Sequence, residues 1–451
     1  MFRLQPFRLR PGRVAALTAA AALITLASAC GSSDSASSDS ASGSTGATGS
    51  ETACTADASG EILVLTNRTD VVDTVFQDYK KTFEAKYPQV TVKFEALTDY
   101  EGEVKTRMST KDYGDVLLIP ASVAVKDMPD FFEPLGSTDE LGQKYRFVQQ
   151  DAVDGTAYGL ATFGNANGMV YNKKVFTDAG ITDLPTTPDQ YLADLTAIKD
   201  KTDAVPYYTN YKDGWPLTWP QNMMGSATGD PEALVKMAAS DAPWAQGQEK
   251  AELDSLLYDA VQQGLTEDDP TTTNWENSKN LLATGKIGLM PLGSWAIPQM
   301  QEAATTAGTD PATIGFMPAP FQTEGAFHSG VAPDFMQGIN INSEHKAAAR
   351  CWVDWFVQDS GFSEFAGGLP TVKDQPAPAD LKEFEATGVK YVELTPAPDL
   401  SAIDNESEIG VSQADYYRTL VDSARGASGE TKQQIFDALN EKWAAARKSI
   451  G

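Results

Sequence analysis

Three short apolar runs, separated by helical stretches, constrain the fold of this chain most. They are EILVLT (61–66), VTVKFEAL (90–97) and DVLLIP (115–120). A continuous apolar run of this length reads as a strand buried on both faces. In the second run Val90, Val92 and Phe94 alternate, the period of a strand. Between the first two, residues 71–87 place Val72, Phe76, Tyr79 and Phe83 at helical spacing, and Pro88 ends the helix. A polar helix around 100–110 precedes the third run. Strand, helix, strand, helix, strand predicts a βαβαβ unit on a parallel sheet, so the fold class is α/β.

Further along, extended pieces are expected at 157–161 and 168–172. A helix over 185–202 is opened by Thr187 as N-cap, Pro188 at N1 and Gln190 at N3. Residues 286–300 read as a strand, a Gly turn and a helix start. Residues 336–342 read as a strand feeding a helix at 343–358. Two helical stretches, about 412–425 and 430–449, follow, and no internal repeat is visible. The folded part, from about Cys54, runs to roughly 400 residues, more than one core accommodates, which predicts two lobes.

The first 29 residues read differently. Arg3, Arg8, Arg10 and Arg13 precede an apolar run, Val14 to Leu26, then the small residues Ala27, Ser28 and Ala29. That is an export signal, excluded from the fold, and its apolar run is shorter than a bilayer span. It leads into Cys30 and resembles a bacterial lipoprotein signal, although Ala27 stands where that motif prefers Leu. The resemblance implies lipidation of Cys30 and anchorage to the outer face of the cell membrane. Gly31 to Thr52 is almost wholly Gly, Ser, Ala, Thr and Asp, too poor in apolar surface to order itself. As a leash it reaches roughly 25 Å.

The net charge of −27 becomes −31 when residues 1–29 take their four Arg with them. So acidic a body is repelled by nucleic acid, and the sequence carries no basic patch or stripe. Of three cysteines, Cys54 and Cys351 remain beside Cys30. An exported chain with an even remainder invites a disulfide. Cys351 also shares a helical face with Ala348, Trp352, Trp355 and Phe356, where a buried thiol fits equally.

Several segments in order, among them GTAYGLATFGNANGMVYNKKVFTDAGI, LLATGKIGLMPLGSWA, GFMPAPF and GININSEHKAAARCWVDWFV, resemble the extracellular solute-binding proteins of bacterial ABC importers. The resemblance is to the sugar-binding branch that includes maltose-binding protein, and it spans the folded chain. It implies a periplasmic-binding-protein-like fold of type II topology: two α/β lobes, a multi-segment hinge and a ligand cleft. The N-lobe would comprise 54–164 plus 322–343, the C-lobe 165–321 plus 344–451. Crossings would fall near Gly164–Asn165, Phe321 and Ser343. The implied function is capture of a mono- or oligosaccharide and delivery to the transmembrane subunits of a permease. The protein would be a monomer and use no cofactor or metal. After DVLLIP this chain has Ala121–Ser122, where maltose binders carry an aromatic–acidic cluster, which argues against maltose.

Sugars offer flat C–H faces and many hydroxyls, so aromatics beside polar side chains on loops are the candidates. Trp295, after a strand and a Gly turn, stands where the family puts an aromatic contact. Trp215 and Trp219 lie in NYKDGWPLTWPQN, which resembles the family's C-lobe stacking segment, and Tyr416 takes the place of another stacking residue. Asn67 and Asp70 follow the first strand, at the sheet end where open α/β folds bind ligands. Asn165, at the first expected crossing, stands where relatives use a polar ligand residue, and Asp334, ahead of the GINI strand, is placed to face the cleft. Rival readings are a binding protein for another solute (a polyamine, phosphate ester or peptide) and an anchored hydrolase. The second has little support: the only histidines are His328 and His345, and no HExxH or GxSxG motif occurs.

Overall fold

Eleven of the apolar runs and alternating segments pair into two sheets, and the chain passes between them three times. A computed structural model describes residues 53–69, 71–120 and 122–450. The expected export signal, Cys30 and Asp70 lie outside the described residues. The strands that matter here are β1 (Gly60–Thr66), β2 (Val90–Ala96), β3 (Val116–Leu118), β4 (Leu160–Ala161), β5 (Gly164–Asn172), β6 (Val205–Tyr207), β7 (Ile287–Gly293), β8 (Ile314–Met317), β9 (His328–Pro333), β10 (Met336–Ile339) and β11 (Lys390–Glu393). The first sheet runs β2-β1-β3-β10-β4, and the second β11-β9-β5-β7-β6 with β8 also on β5. The three runs of the opening motif form the parallel part, β1 flanked by β2 and β3. The helices used below are α1 (Val75–Lys86), α2 (Trp275–Ala283), α3 (Ala296–Ala307), α4 (Lys346–Asp359), α5 (Phe362–Phe365) and α6 (Ala414–Ala424).

Local rules hold in detail at several ends. The helix Pro188–Lys201 begins at Thr187, whose hydroxyl accepts from the Gln190 amide at 3.2 Å, with Pro188 at the first position.

The hinge is an antiparallel ribbon. β4 continues into β5 and β9 into β10, so the ribbon pairs Ala161 with Met336 in the first sheet and Gly164 with Pro333 in the second. Between the sheets the bonding continues: Thr162 N–H donates to Phe335 O at 2.8 Å, and Asp334 N–H to Phe163 O at 2.9 Å. A third crossing lies alongside, where Leu369 and Gly164 exchange backbone bonds at 2.6 and 2.7 Å. Glycine is required at 164 because a Cβ there would stand 2.6 Å from the Phe147 ring.

Two expected boundaries move. The chain recrosses at Asp334–Phe335, not near Phe321, because β9 pairs with β5 and β11 in the second sheet. The segment after Ser343 does not return to the second lobe. Helix α4 lays Ala348, Cys351, Trp352, Trp355 and Phe356 against the first lobe's Phe76, Phe83 and Val92. Ring centroids of Phe83 and Trp352 lie 5.1 Å apart, and those of Phe94 and Trp352 5.5 Å. Each such buried aromatic contributes about 2 kcal/mol, more than any local preference of the connecting loop. Cys54 and Cys351 are joined in a disulfide inside this lobe. The crossing to the second lobe follows Leu369, and β11 is the next strand there.

Candidate functional site

At the C-terminal end of β1, where a parallel sheet leaves unpaired backbone and a crevice, the two lobes enclose a cavity of about 940 Å³. The first lobe contributes Thr66, Asn67 and Arg68 from the end of β1, Gln337 from β10, and Phe362 and Phe365 from α5. The second contributes Glu276, Lys279 and Asn280 from α2, and Gln299 and Glu302 from α3, with Trp295 just ahead of α3. Asp334 enters from the ribbon.

The C-lobe wall is aromatic. Trp295 stands among three other indoles, with centroids 5.7 Å from Trp215, 6.1 Å from Trp219 and 5.8 Å from Trp275. Trp215 meets Trp275 edge-on at 4.8 Å. Trp215 is 40 % exposed, whereas Trp219 and Trp275 are buried behind it. Lys279 pairs with Glu276 at 2.9 Å and lies 5.1 Å from the Trp275 ring. The loop bearing Trp215 is tied down: Arg418 on α6 donates to Tyr211 O at 3.0 Å and Lys212 O at 2.9 Å, and Asp213 accepts from the Trp275 amide at 2.8 Å.

The N-lobe wall carries the facing charges. The Arg68 guanidinium lies 5.6 Å from the Phe365 ring and 5.8 Å from Phe362. Asp334 is exposed, its side chain opening on the cleft between the two walls. Desolvation by the surrounding walls raises its carboxyl to about 6, against the pull of the Asn165 hydrogen bond and Arg68; water in the open cleft moderates that shift. Asn165 Nδ2 donates to Asp334 Oδ1 at 3.4 Å. An indole platform, hydrogen-bonding carboxylates and amides, and paired charges form a surface for a polyhydroxylated ligand. Among the described residues no group of three His, Cys, Asp or Glu could hold a metal ion, and no helix is long and apolar enough to cross a membrane.

The family described as bacterial extracellular solute-binding protein matches residues 68–361. The chain belongs to this family. A manno-oligosaccharide-specific solute-binding protein of Bifidobacterium animalis subsp. lactis, solved with mannotriose, is 34% identical with a TM-score of 0.76. The match covers 87% of this chain and 96% of that one. A second binding protein of an ABC transporter from the same organism, solved with mannobiose, is also 34% identical, with a TM-score of 0.75 over the same shares. The multiple sugar-binding protein of Streptococcus mutans is 25% identical over 303 residues, covering 64% of this chain and 70% of that protein. The two-lobed α/β architecture is that of the family.

In this solute-binding protein the expected site residues separate into groups. Asn67, Trp295 and Asp334 border the cavity. Trp215 and Trp219 reach it through Trp295, and Asn165 through Asp334. Tyr416 is elsewhere. It is buried in the second lobe, where its hydroxyl donates to Asp254 at 2.5 Å and accepts from the Trp244 indole at 2.8 Å. Lys250 completes that knot, donating to Asp254 at 2.8 Å and to the Tyr417 hydroxyl at 2.9 Å. The correction has a simple cause: α6 is amphipathic and Tyr416 is on its inner stripe with Tyr417 and Leu420. Sequence reasoning missed Trp275, Phe365, Gln337 and the polar residues of α2 and α3. Trp275 carried a readable signal, an aromatic right after the capping Asn274 in a polar stretch. Gln337 carried none.

Proposed function

We propose that this chain is the substrate-binding component of an ABC importer and that it captures a short oligosaccharide between its lobes. The observation that carries the reading is the composition of one cleft: Trp295 on one wall, with Arg68 and Asp334 on the other. An indole covers the C–H face of a pyranose while carboxylates and amides take its hydroxyls. Ligands that leave those groups unpaired are rejected. Manno-oligosaccharides are the first candidates, because two relatives at 34% identity were solved with mannobiose and mannotriose.

Function is binding without chemistry. Ligand docks on one lobe, and the ribbon hinge lets the other close over it. The ligand stabilises the closed state only by its differential affinity for it. The loaded protein then delivers the sugar to the permease. Lipidation at Cys30 and the leash after it would keep a monomeric body near that partner, outside the cell membrane. Calorimetric titration with mannobiose and mannotriose, with cellobiose, a polyamine and a sugar phosphate as controls, tests the reading. Binding of a neutral oligosaccharide, lost by at least tenfold in Trp295→Ala, supports it. Silence toward every sugar alongside binding of a charged solute sinks the carbohydrate assignment.

A further inference from the structure

The two walls of the cleft touch at its floor. Gly367, just past the short helix α5, lies against the first turn of α3: a Cβ there would stand 2.9 Å from the Pro298 ring and 3.8 Å from Ser294 O. Its φ of 67° also favours glycine. Phe365 stands two residues before this contact on the N-lobe side, and Trp295 three residues before Pro298 on the C-lobe side. Both side chains line the cavity. Phe365 is 44 % exposed, one of four large apolar side chains left so among the described residues. Phe362, at the other end of the same turn of helix, is buried. The exposed ring is nevertheless held. The Arg68 guanidinium lies over it, 5.6 Å from the centroid, and the Phe362 ring is 6.2 Å away. A planar cation on a ring face is attracted by the ring's quadrupole. The surface of Phe365 that these neighbours leave uncovered lines the cavity.

We propose that Phe365 is the N-lobe jaw of an aromatic clamp. It stacks on one face of the sugar ring whose other face rests on Trp295, and Arg68 is the positioning residue that holds it. The inference rests on the oligosaccharide reading and deepens it, because it names the group that grips the second ring face. A pyranose turns C–H bonds outward on its faces and hydroxyls at its edge. Two facing rings therefore cover apolar surface, while the hydroxyls meet the polar side chains around them. The jaws belong to different lobes. A ring held between both stabilises the closed state, which a ring resting on one jaw does not distinguish from the open one.

The test is calorimetric titration with mannobiose, mannotriose and cellobiose of the full chain and of Phe365→Ala, Phe365→Leu and Phe365→Tyr. Alanine should weaken the tightest of these complexes about tenfold. Leucine, which keeps apolar bulk without a flat ring, should weaken it about fivefold. Tyrosine keeps the ring and should stay within about twofold. The unfolding midpoint of the ligand-free protein should be the same in all four chains, since the side chain is exposed. A Phe365 needed for folding alone would lower the midpoint and leave the affinity of the folded chain unchanged. Arg68→Lys keeps the charge and loses the planar stack, so its loss of affinity should be smaller in the Phe365→Ala chain than in the unaltered one. Alanine without effect, or leucine equal to phenylalanine, overturns the clamp and leaves the oligosaccharide reading standing. Losses from Arg68→Lys and Phe365→Ala that simply add overturn the holding role of Arg68. No binding of any of these sugars to the unaltered chain overturns the clamp together with the oligosaccharide reading.

Discussion

Asp334 shows how a side chain acquires its task from position. Its carboxyl, raised to about 6 by the cleft walls, changes charge in the range a cell envelope meets. A carboxylate accepts a sugar hydroxyl more strongly than a carboxylic acid does. Oligosaccharide affinity should therefore rise as pH climbs from about 5 to about 7, and Asp334→Asn should flatten the profile. A profile identical in both proteins would remove Asp334 from the binding contacts. In the ligand-free chain the same shift acts in the opposite sense. The folded state holds this proton more tightly than the unfolded chain, so its contribution to stability is present at low pH and is lost as pH rises through about 6. Tyr416 is the contrasting case. Tyr416→Phe takes a hydrogen bond from Asp254 and an acceptor from Trp244, and should cost about 1–3 kcal/mol in urea unfolding. Sugar affinity should stay within twofold; a larger loss would return Tyr416 to the site. Both residues are polar or aromatic groups beside an expected feature, and nothing in the residue names separates them. Burial does.

At the scale of elements, the helix α4 decides where the first lobe ends. Its aromatic stripe was visible as helical spacing, but spacing does not say which sheet receives it. Phe76, Phe83 and Phe94 do, and the bond from Cys54 to Cys351 ties the start of the lobe to the same helix. The cross-link spans 297 residues of sequence, so it restricts the unfolded chain strongly. Replacing both cysteines with alanine should lower stability by about 3–5 kcal/mol in denaturant unfolding. A loss confined to a few tenths would mean that the aromatic packing alone holds α4. The ribbon β4–β5 with β9–β10 is the other deciding element. Of its strands, β4, the latter part of β5 and β10 were legible as extended pieces, whereas β9 was not, nor was the pairing of Ala161 with Met336 and Gly164 with Pro333.

For the whole molecule, two sheets joined through a hydrogen-bonded ribbon and one further crossing permit bending without breaking either core. Closure on ligand should appear as a smaller radius of gyration in solution scattering at saturating oligosaccharide. At a ligand concentration one hundred times Kd the folded state gains about 2.7 kcal/mol, seen as a raised unfolding midpoint. An unchanged scattering curve with a raised midpoint would mean binding to a cleft already closed, and the hinge would then have no part in capture.

By itself, the sequence determined the α/β class, the parallel opening motif, the helix starts, the need for two cores, and the indole at 295. These follow from periodicity, capping chemistry and chain length, which act within a few turns of backbone. Only the tertiary structure decided the crossing at Asp334, the lobe that takes α4 and the burial of Tyr416. Each depends on contacts between segments far apart in the chain. There burial free energy outweighs local preference, and an amphipathic stripe is satisfied by whichever apolar face the topology brings to it.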